Sequence, residues 1–302
     1  QGDKKEISIY GQEYTATTYK LAKMNLAIRG ISANLGAVPA DTFAKDQHKD
    51  LKADYIMANP PFNQKAWRAD NELLDDPRWR GYEVPQTGNA NYAWILNMVS
   101  KLSDNGVAGF ILANGALSGG SEEYKIRKKL VENGLVEAII ILPRNMFYTT
   151  DISVTLWILN KNKTERTFNL NNEEKNYRER QNEILFMDLR QIGEPVEKKY
   201  TQFSDDHIQQ ITSTYHNWQL IDKEYEDVPE FCYSAKIEEV VKNDYSLVPS
   251  KYIEFINRDE NIDFDEKMTG LQSEFSELLQ SEQQSKADLL NVFKELGYEI
   301  EL

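Results

Sequence analysis

The sequence is short of the residues that metals, disulfides and membranes require. Cys232 is the only cysteine, so an intrachain disulfide and an all-cysteine metal site are both excluded. A single thiol fits a reducing compartment, and a cytoplasmic protein is expected. The three histidines, His48, His207 and His216, have no close ligand spacing, and no metal is expected. No apolar run approaches the roughly 18 residues of a membrane-spanning helix. The opening "QGDKKEISIYGQE" lacks the basic and apolar regions of a signal peptide. Positive charge is also scarce. Lys plus Arg number 35 against 49 for Asp plus Glu, a net charge of −14. Duplex DNA is gripped mainly by neutralising phosphates, so this chain is a poor candidate for holding DNA over a large surface alone. A DNA enzyme whose partner supplies the basic surface remains open.

What is present is enough for a large core. The chain has 302 residues, 40% hydrophobic and 11% aromatic, which suits one large domain or a domain with an appendage. "ISIYGQE" reads as a short strand, and "TATTYKLAKMNLAIRGI" as a helix with Leu21, Met24, Asn25 and Ile28 on one face and Gly30 as its stop. Ala53–Ala58 reads as a strand covered on both faces. "NANYAWILNMVSKLSDNG" predicts a helix closed by Gly106, leading into a strand at Val107–Ala113. "SEEYKIRKKLVENG" predicts a capping-box helix start at Ser121 and a stop at Gly134. Val136–Leu142, Ser153–Lys161 and Asn182–Leu189 read as further strands.

The alternation of strands and helices predicts a mostly parallel α/β sheet with helices on both faces. Only ten residues, Pro143–Ile152, separate two of the strands. That is short for a parallel crossover, so one strand is expected to run antiparallel. The charged, Asn-rich stretch 162–183 is expected to be a loop. Helices are expected at 205–218 and near 235–243. From Phe264 to Leu296, positions 264, 268, 271, 275, 278, 282, 285, 289, 292 and 296 follow alternating steps of four and three. Eight of these ten are apolar, all but Glu282 and Ser285. That is a helix with a coiled-coil-like seam, suited to docking on its own domain or on a partner's helices.

The stretch carrying chemistry is "ADYIMANPPFNQKAW", Ala53–Trp67. Asn59 ends a strand, and Pro60 and Pro61 fix the backbone where open α/β sheets bind ligands. A strand ending in Asn-Pro-Pro-Phe resembles the catalytic loop of S-adenosylmethionine-dependent N6-adenine methyltransferases. "YGQEYTATTYKLAKMNLAIRGI", "WILNMVSKLSDNGVAGFILANGALSGG", "IRKKLVENGLVEAIIILPRNMFYTTDISVTLWILNK" and "DYSLVPSKYI" together resemble the modification subunit of type I restriction–modification systems, over about residues 7–255.

The resemblance implies a Rossmann-like methyltransferase sheet, mostly parallel with one antiparallel strand, and a C-terminal helical extension. It implies a catalytic domain over 1–255 and a helical arm over 256–302 that contacts another subunit. Asn59, Pro60, Pro61 and Phe62 would be catalytic. Glu13, Asp41, Phe43 and Asn59 would hold S-adenosyl-L-methionine. Phe62, with Phe147 or its neighbour Tyr148, would pack on a flipped adenine. The partners implied are double-stranded DNA, a specificity subunit, a motor–nuclease restriction subunit and a second modification subunit. The same chemistry on a protein glutamine amide is the alternative, disfavoured because that variant usually carries Tyr where this chain has Phe62. A non-catalytic scaffold is a third.

One family feature has no counterpart. A Gly-rich cofactor loop of the Asp-Pro-x-x-Gly-x-Gly-Gly kind belongs before the "GQE" strand, and its strand belongs between Ile7–Tyr10 and Ala53–Ala58. The sequence shows neither, so the catalytic domain reads as incomplete, with two exposed inner strand edges. These 302 residues alone are therefore expected to bind S-adenosylmethionine weakly and to methylate poorly. Calorimetric cofactor affinity and turnover at the ordinary level of such enzymes, measured on this chain alone, would contradict that.

Overall fold

The protein is described by a computed structural model over residues 7–147, 151–170, 173–197, 199–256 and 264–297. It divides into two compact units, Gln1–Glu254 and Phe255–Leu302. The first begins with β1 (Ile9–Tyr10), α1 (Ala16–Ile28), β2 (Ala33–Asn34) and β3 (Ala53–Ala58). Thr15 caps α1 by accepting from the Thr18 N–H, and Gly30, at φ +65°, ends it. Next come α2 (Asn91–Lys101), β4 (Leu102–Ala113), α3 (Ser121–Glu132), β5 (Val136–Ile141) and β6 (Val154–Asn160). A hairpin of β7 (Arg166–Leu170) and β8 (Glu173–Tyr177) precedes β9 (Glu183–Asp188). The unit closes with β10 (Glu194–Val196), β11 (Tyr200–Gln202), α4 (Asp205–Gln219), β12 (Cys232–Lys236) and α5 (Ile237–Lys242). The second unit holds the single long helix α6 (Phe264–Glu295), none of whose residues is buried. No described helix is long and apolar enough to cross a membrane.

Six strands form one mixed sheet in the order β12-β9-β5-β6-β4-β3. β3 pairs parallel with β4, and β5 with β9, while β6 lies antiparallel between β4 and β5. The α/β class and the antiparallel strand after a short connection agree with the sequence reading. A second strand, β12, is also antiparallel, on β9. The expectation of one antiparallel strand is corrected to two, because β12 returns along the outer edge from α4 and needs no crossover. Ile95 and Leu96 of α2, Ile126 and Leu130 of α3 and Val240 of α5 pack on one face against Phe110, Ile139, Trp157 and Phe186. Trp218 of α4 covers the other face over Ala138, Ile140, Leu185 and Met187. All six residues of β5 are buried, as a strand covered on both faces requires.

Four local expectations are corrected. β3 is covered on one face only. Ile56 and Ala58 pack into the core, but Tyr55 and Met57 are 75% and 92% exposed on the other side. β3 is an edge strand, as the missing neighbour implies, and β1 pairs with β2 in a separate two-stranded sheet. The apolar face of α1 is likewise open, with Leu21, Met24 and Ile28 all exposed. Second, α2 ends at Lys101, and Gly106 lies inside β4. A Cβ there would come within 2.7 Å of the Ala53 carbonyl oxygen, at the irregular register between β3 and β4. Third, Ser121 does not cap α3. Gly120 takes the cap position, Ser121 has φ +50°, and the Glu123 carboxylate folds back over Gly119. Fourth, 162–183 contains the β7–β8 hairpin, whose cross-strand pairs override a composition that reads as loop.

The amino end of the sheet carries a buried polar network. Glu137 is wholly buried and accepts from Arg180 Nε (3.2 Å), Gln219 Nε2 (3.0 Å) and Asn160 Nδ2 (2.6 Å). Lys163 Nζ donates to the carbonyls of Val136 (2.8 Å) and Glu183 (3.0 Å), and burial pushes its ammonium down to about 8. Desolvation works to raise the Glu183 carboxyl. Hydrogen bonds from Arg178, Lys236 and Ser234 outweigh it and hold the group at about 2. A carboxyl depressed in the folded state stabilises it above the unfolded pKa and loses that contribution as the pH falls. Stability is therefore expected to drop between about pH 4.5 and 2. Glu183→Gln should flatten that limb in urea titrations run across the range, and an unchanged limb would assign the acid sensitivity elsewhere.

Candidate active site

The carboxyl ends of β3, β4, β5 and β9 share one edge of the sheet, because these four strands are parallel. The Asn-Pro-Pro-Phe turn leaves that edge directly after β3, whose last residue, Ala58, sits opposite Phe110 of β4. Pro60 is buried, Phe62 is half-buried, and Asn59 and Pro61 are exposed. Among the described residues the Asn59 side chain has no hydrogen-bond partner. Its amide is thus placed by backbone alone and is free to engage a ligand.

The far side of the turn is strained and held from outside. Asn63 and Ala66 have φ of +52° and +50°, each costing on the order of 1–3 kcal/mol for a non-glycine residue unless the surroundings hold it. The segment just before and at the start of α2 does so. The Asn63 N–H donates to Asn91 Oδ1 (3.0 Å), and Asn91 Nδ2 donates back to Asn63 Oδ1 (2.9 Å). Asn89 Nδ2 adds a bond to the same oxygen at 3.3 Å. The Ala90 N–H donates to the Gln64 carbonyl, the Ala66 N–H to the Thr87 carbonyl, and the Trp67 indole to the Gln86 carbonyl.

The two candidate acids, Glu13 and Asp41, are brought together. The Ala40 N–H donates to the Glu13 carbonyl at 2.9 Å, which puts Asp41 one residue from that contact. Gln12, beside Glu13, clasps the loop from the other side. Its Nε2 donates to the carbonyls of Ala40 (3.0 Å) and Lys45 (2.9 Å), and its Oε1 accepts from Gln47 N–H (3.0 Å). Gly36 has φ +79°, and a Cβ there would strike the Gln47 side chain at 2.6 Å, so the turn before Asp41 needs glycine twice over. Asp41 Oδ1 accepts the N–H groups of Phe43 (2.8 Å) and Ala44 (2.9 Å). Its Oδ2 and the half-buried Glu13 carboxylate make no hydrogen bond among the described residues.

Phe43 links this acid loop to the Asn-Pro-Pro-Phe turn. It is 2% exposed, with its ring against Trp67 (4.6 Å between centroids) and Trp94 (4.4 Å). The ring therefore sets the position of the loop and offers no open stacking face. Arg78 reinforces the link by donating to the carbonyls of Thr42 (2.9 Å) and Phe43 (2.7 Å). Asp76 orients the guanidinium from 2.7 Å. Burial works to raise the Asp76 carboxyl, but Arg78 outweighs it and leaves the group below its ordinary value.

Phe147 follows β5 on the same edge, half-buried. β6 and β4 intervene between β5 and β3, so those two strands lie three spacings, about 14 Å, apart. Tyr148 lies outside the described residues. Sequence reasoning passed over Gln12, Asn63, Arg78 and Asn91. One signal was available: Asn89-Ala90-Asn91 sets two amides at the head of an otherwise apolar helix.

The family model described as N-6 DNA Methylase matches residues 1–261. The HindI type I restriction enzyme methylase subunit of Haemophilus influenzae is 41% identical over 301 residues, 99% of this chain and 64% of that protein. The MjaIX methylase subunit of Methanocaldococcus jannaschii is 33% identical over 98% of this chain and 51% of its own length. The chain thus spans about half to two-thirds of the curated relatives it matches. Among solved structures, the type I restriction-modification methyltransferase subunit of Streptococcus thermophilus superposes with a TM-score of 0.68 at 30% identity, covering 82% of this chain and 48% of that one. With the Asn-Pro-Pro-Phe turn at the sheet's carboxyl edge and a family match over most of its length, the chain belongs to the N-6 DNA methylase family.

Proposed function

We propose that this chain is the catalytic part of a type I modification subunit and transfers a methyl group from S-adenosylmethionine to adenine N6 in DNA. The observation that carries the reading is the Asn59 amide, exposed and unbonded on a proline-fixed turn at the carboxyl edge of the sheet. The adenine exocyclic amine is a poor nucleophile, because its lone pair is delocalised into the ring. Asn59 Oδ1 accepts one N–H of that amine and the Pro60 carbonyl accepts the other. With both protons held, the nitrogen becomes pyramidal and its lone pair points in one direction. Orientation and electrostatic stabilisation do the work, without a strong base. The amine is out of reach inside a duplex, so the base must flip out. Phe62 offers it a ring face, worth about 1–3 kcal/mol by analogy with other base–aromatic contacts, and Phe147 is the candidate for a second ring.

The residues present fit the cofactor. Glu13 keeps a half-buried carboxylate without a partner, suited to two ribose hydroxyls, and Asp41 keeps one oxygen for an adenine amine. Phe43 holds Asp41 in place from below. S-adenosylmethionine supplies an electrophilic methyl group when bound. The chain's residues seat it and aim the nucleophile. An acidic chain working on DNA is consistent with a separate specificity subunit reading the duplex. A motor–nuclease subunit and a second modification subunit complete the complex, and the arm of residues 256–302 supplies a contact between subunits.

The test is radiolabelled methyl transfer to genomic DNA by the full-length protein that carries this chain, purified with its specificity subunit. Label is expected on adenine N6, and Asn59→Ala should cut kcat at least about 100-fold. Label on glutamine in protein, with none in DNA, would move the reading to a protein methyltransferase. Arg78→Ala, which releases the Thr42 and Phe43 carbonyls, should raise the cofactor Kd about tenfold in calorimetry, the worth of roughly one net hydrogen bond.

A further inference from the structure

We propose that Asn91 is a positioning residue for this reaction, acting through Asn63 to fix where the Asn59 amide and the Pro60 carbonyl point. The inference rests on the methyl-transfer reading and names a part of the machinery that the Asn-Pro-Pro-Phe motif does not contain. Asn91 is the first residue of α2 and is 0% exposed. Burying an amide is unfavourable unless its donors and acceptors are engaged. An asparagine at the head of a helix usually earns its place by capping that helix. Asn91 does not: the cap position is Ala90, which makes no side-chain bond, and Asn89 Oδ1 accepts the Asn91 N–H instead. Both described bonds of the Asn91 side chain go to a single residue of the catalytic turn, as donor to Asn63 Oδ1 and as acceptor from Asn63 N–H.

The consequence for Asn59 follows from the chain between the two anchors. Ala58 is fixed by the β3–β4 ladder, and Asn63 is fixed by Asn91. Four residues span the gap, and two are prolines with preset φ. With both ends held, little freedom remains for the two acceptors. Without the two Asn91 bonds, only the 3.3 Å bond from Asn89 holds the Asn63 side chain, so the turn gains freedom to pivot about Ala58 and the left-handed backbone of Asn63 to relax. A displacement of about 1 Å at a reacting group costs on the order of 100-fold in rate.

The experiment compares wild type, Asn91→Ala and Asn63→Gly in the full-length protein with its specificity subunit. Asn63 is exposed and glycine adopts φ +52° freely, so Asn63→Gly removes the acceptor while leaving a foldable chain should Asn91→Ala fail to fold. Single-turnover methyl transfer, calorimetric cofactor affinity and the fluorescence of 2-aminopurine at the target position are read on each. The expected result is a fall in the transfer rate of about 100-fold for Asn91→Ala and at least tenfold for Asn63→Gly. Cofactor Kd should stay within threefold of wild type. Transfer rates within threefold of wild type in either folded variant would overturn the proposal, as would loss of cofactor affinity in step with rate. A wild-type complex that binds cofactor but puts no label on adenine would instead overturn the methyl-transfer reading, and this inference with it.

Discussion

Two consecutive prolines preset φ but have no N–H to donate, so a turn built on them is stiff within itself and depends on its two ends for placement. Much of the site's architecture answers that constraint. The parallel pairing of Ala58 with Phe110 fixes one end of the turn, and Asn91 fixes the other through Asn63. Gln64, Ala66 and Trp67 are each tied to the segment just before α2 or to its first turn. The order of elements in the chain makes this available. The loop after β3 wanders through Trp79 and returns to start α2, so the stretch that needs support and the stretch that gives it lie side by side.

The two ends of the sheet use polar groups in opposite ways. At the amino end, Glu137, Arg180, Lys163 and Glu183 are engaged with one another or with carbonyls, and most are buried. Such a network is expensive to break and does little else. At the carboxyl end, the Asn59 amide is exposed and has no hydrogen-bond partner among the described residues.

The strands were legible because Val, Ile and Leu dominate β5 and β6 and apolar residues fill the middle of β9, and periodicity survives any tertiary arrangement. The Asn59 turn was legible because proline restricts the backbone locally. Other features were hidden for physical reasons. Tyr55 and Met57 are as apolar as buried strand residues, and only the structure shows that their face of β3 is uncovered. The capping box expected from Ser121 does not form: Gly120 holds the cap position without a side-chain bond, and Ser121 takes φ +50°. The β7–β8 hairpin is stabilised across strands, which composition does not record. Arg78 reaches back about 35 positions to carbonyls of Thr42 and Phe43, a separation at which sequence carries no signal of contact.

The Phe43–Trp67–Trp94 cluster has a thermodynamic consequence. It joins the Asp41 loop and the Asn59 turn through one packed contact, with Arg78 as a second tie. A ligand that orders one of the two segments orders the other at no separate entropic cost. Linkage is reciprocal, so whatever factor the first ligand adds to the affinity of the second, the second returns to the first. Ligands engaging both segments, far apart in the chain, would be coupled through three aromatic rings without any domain movement.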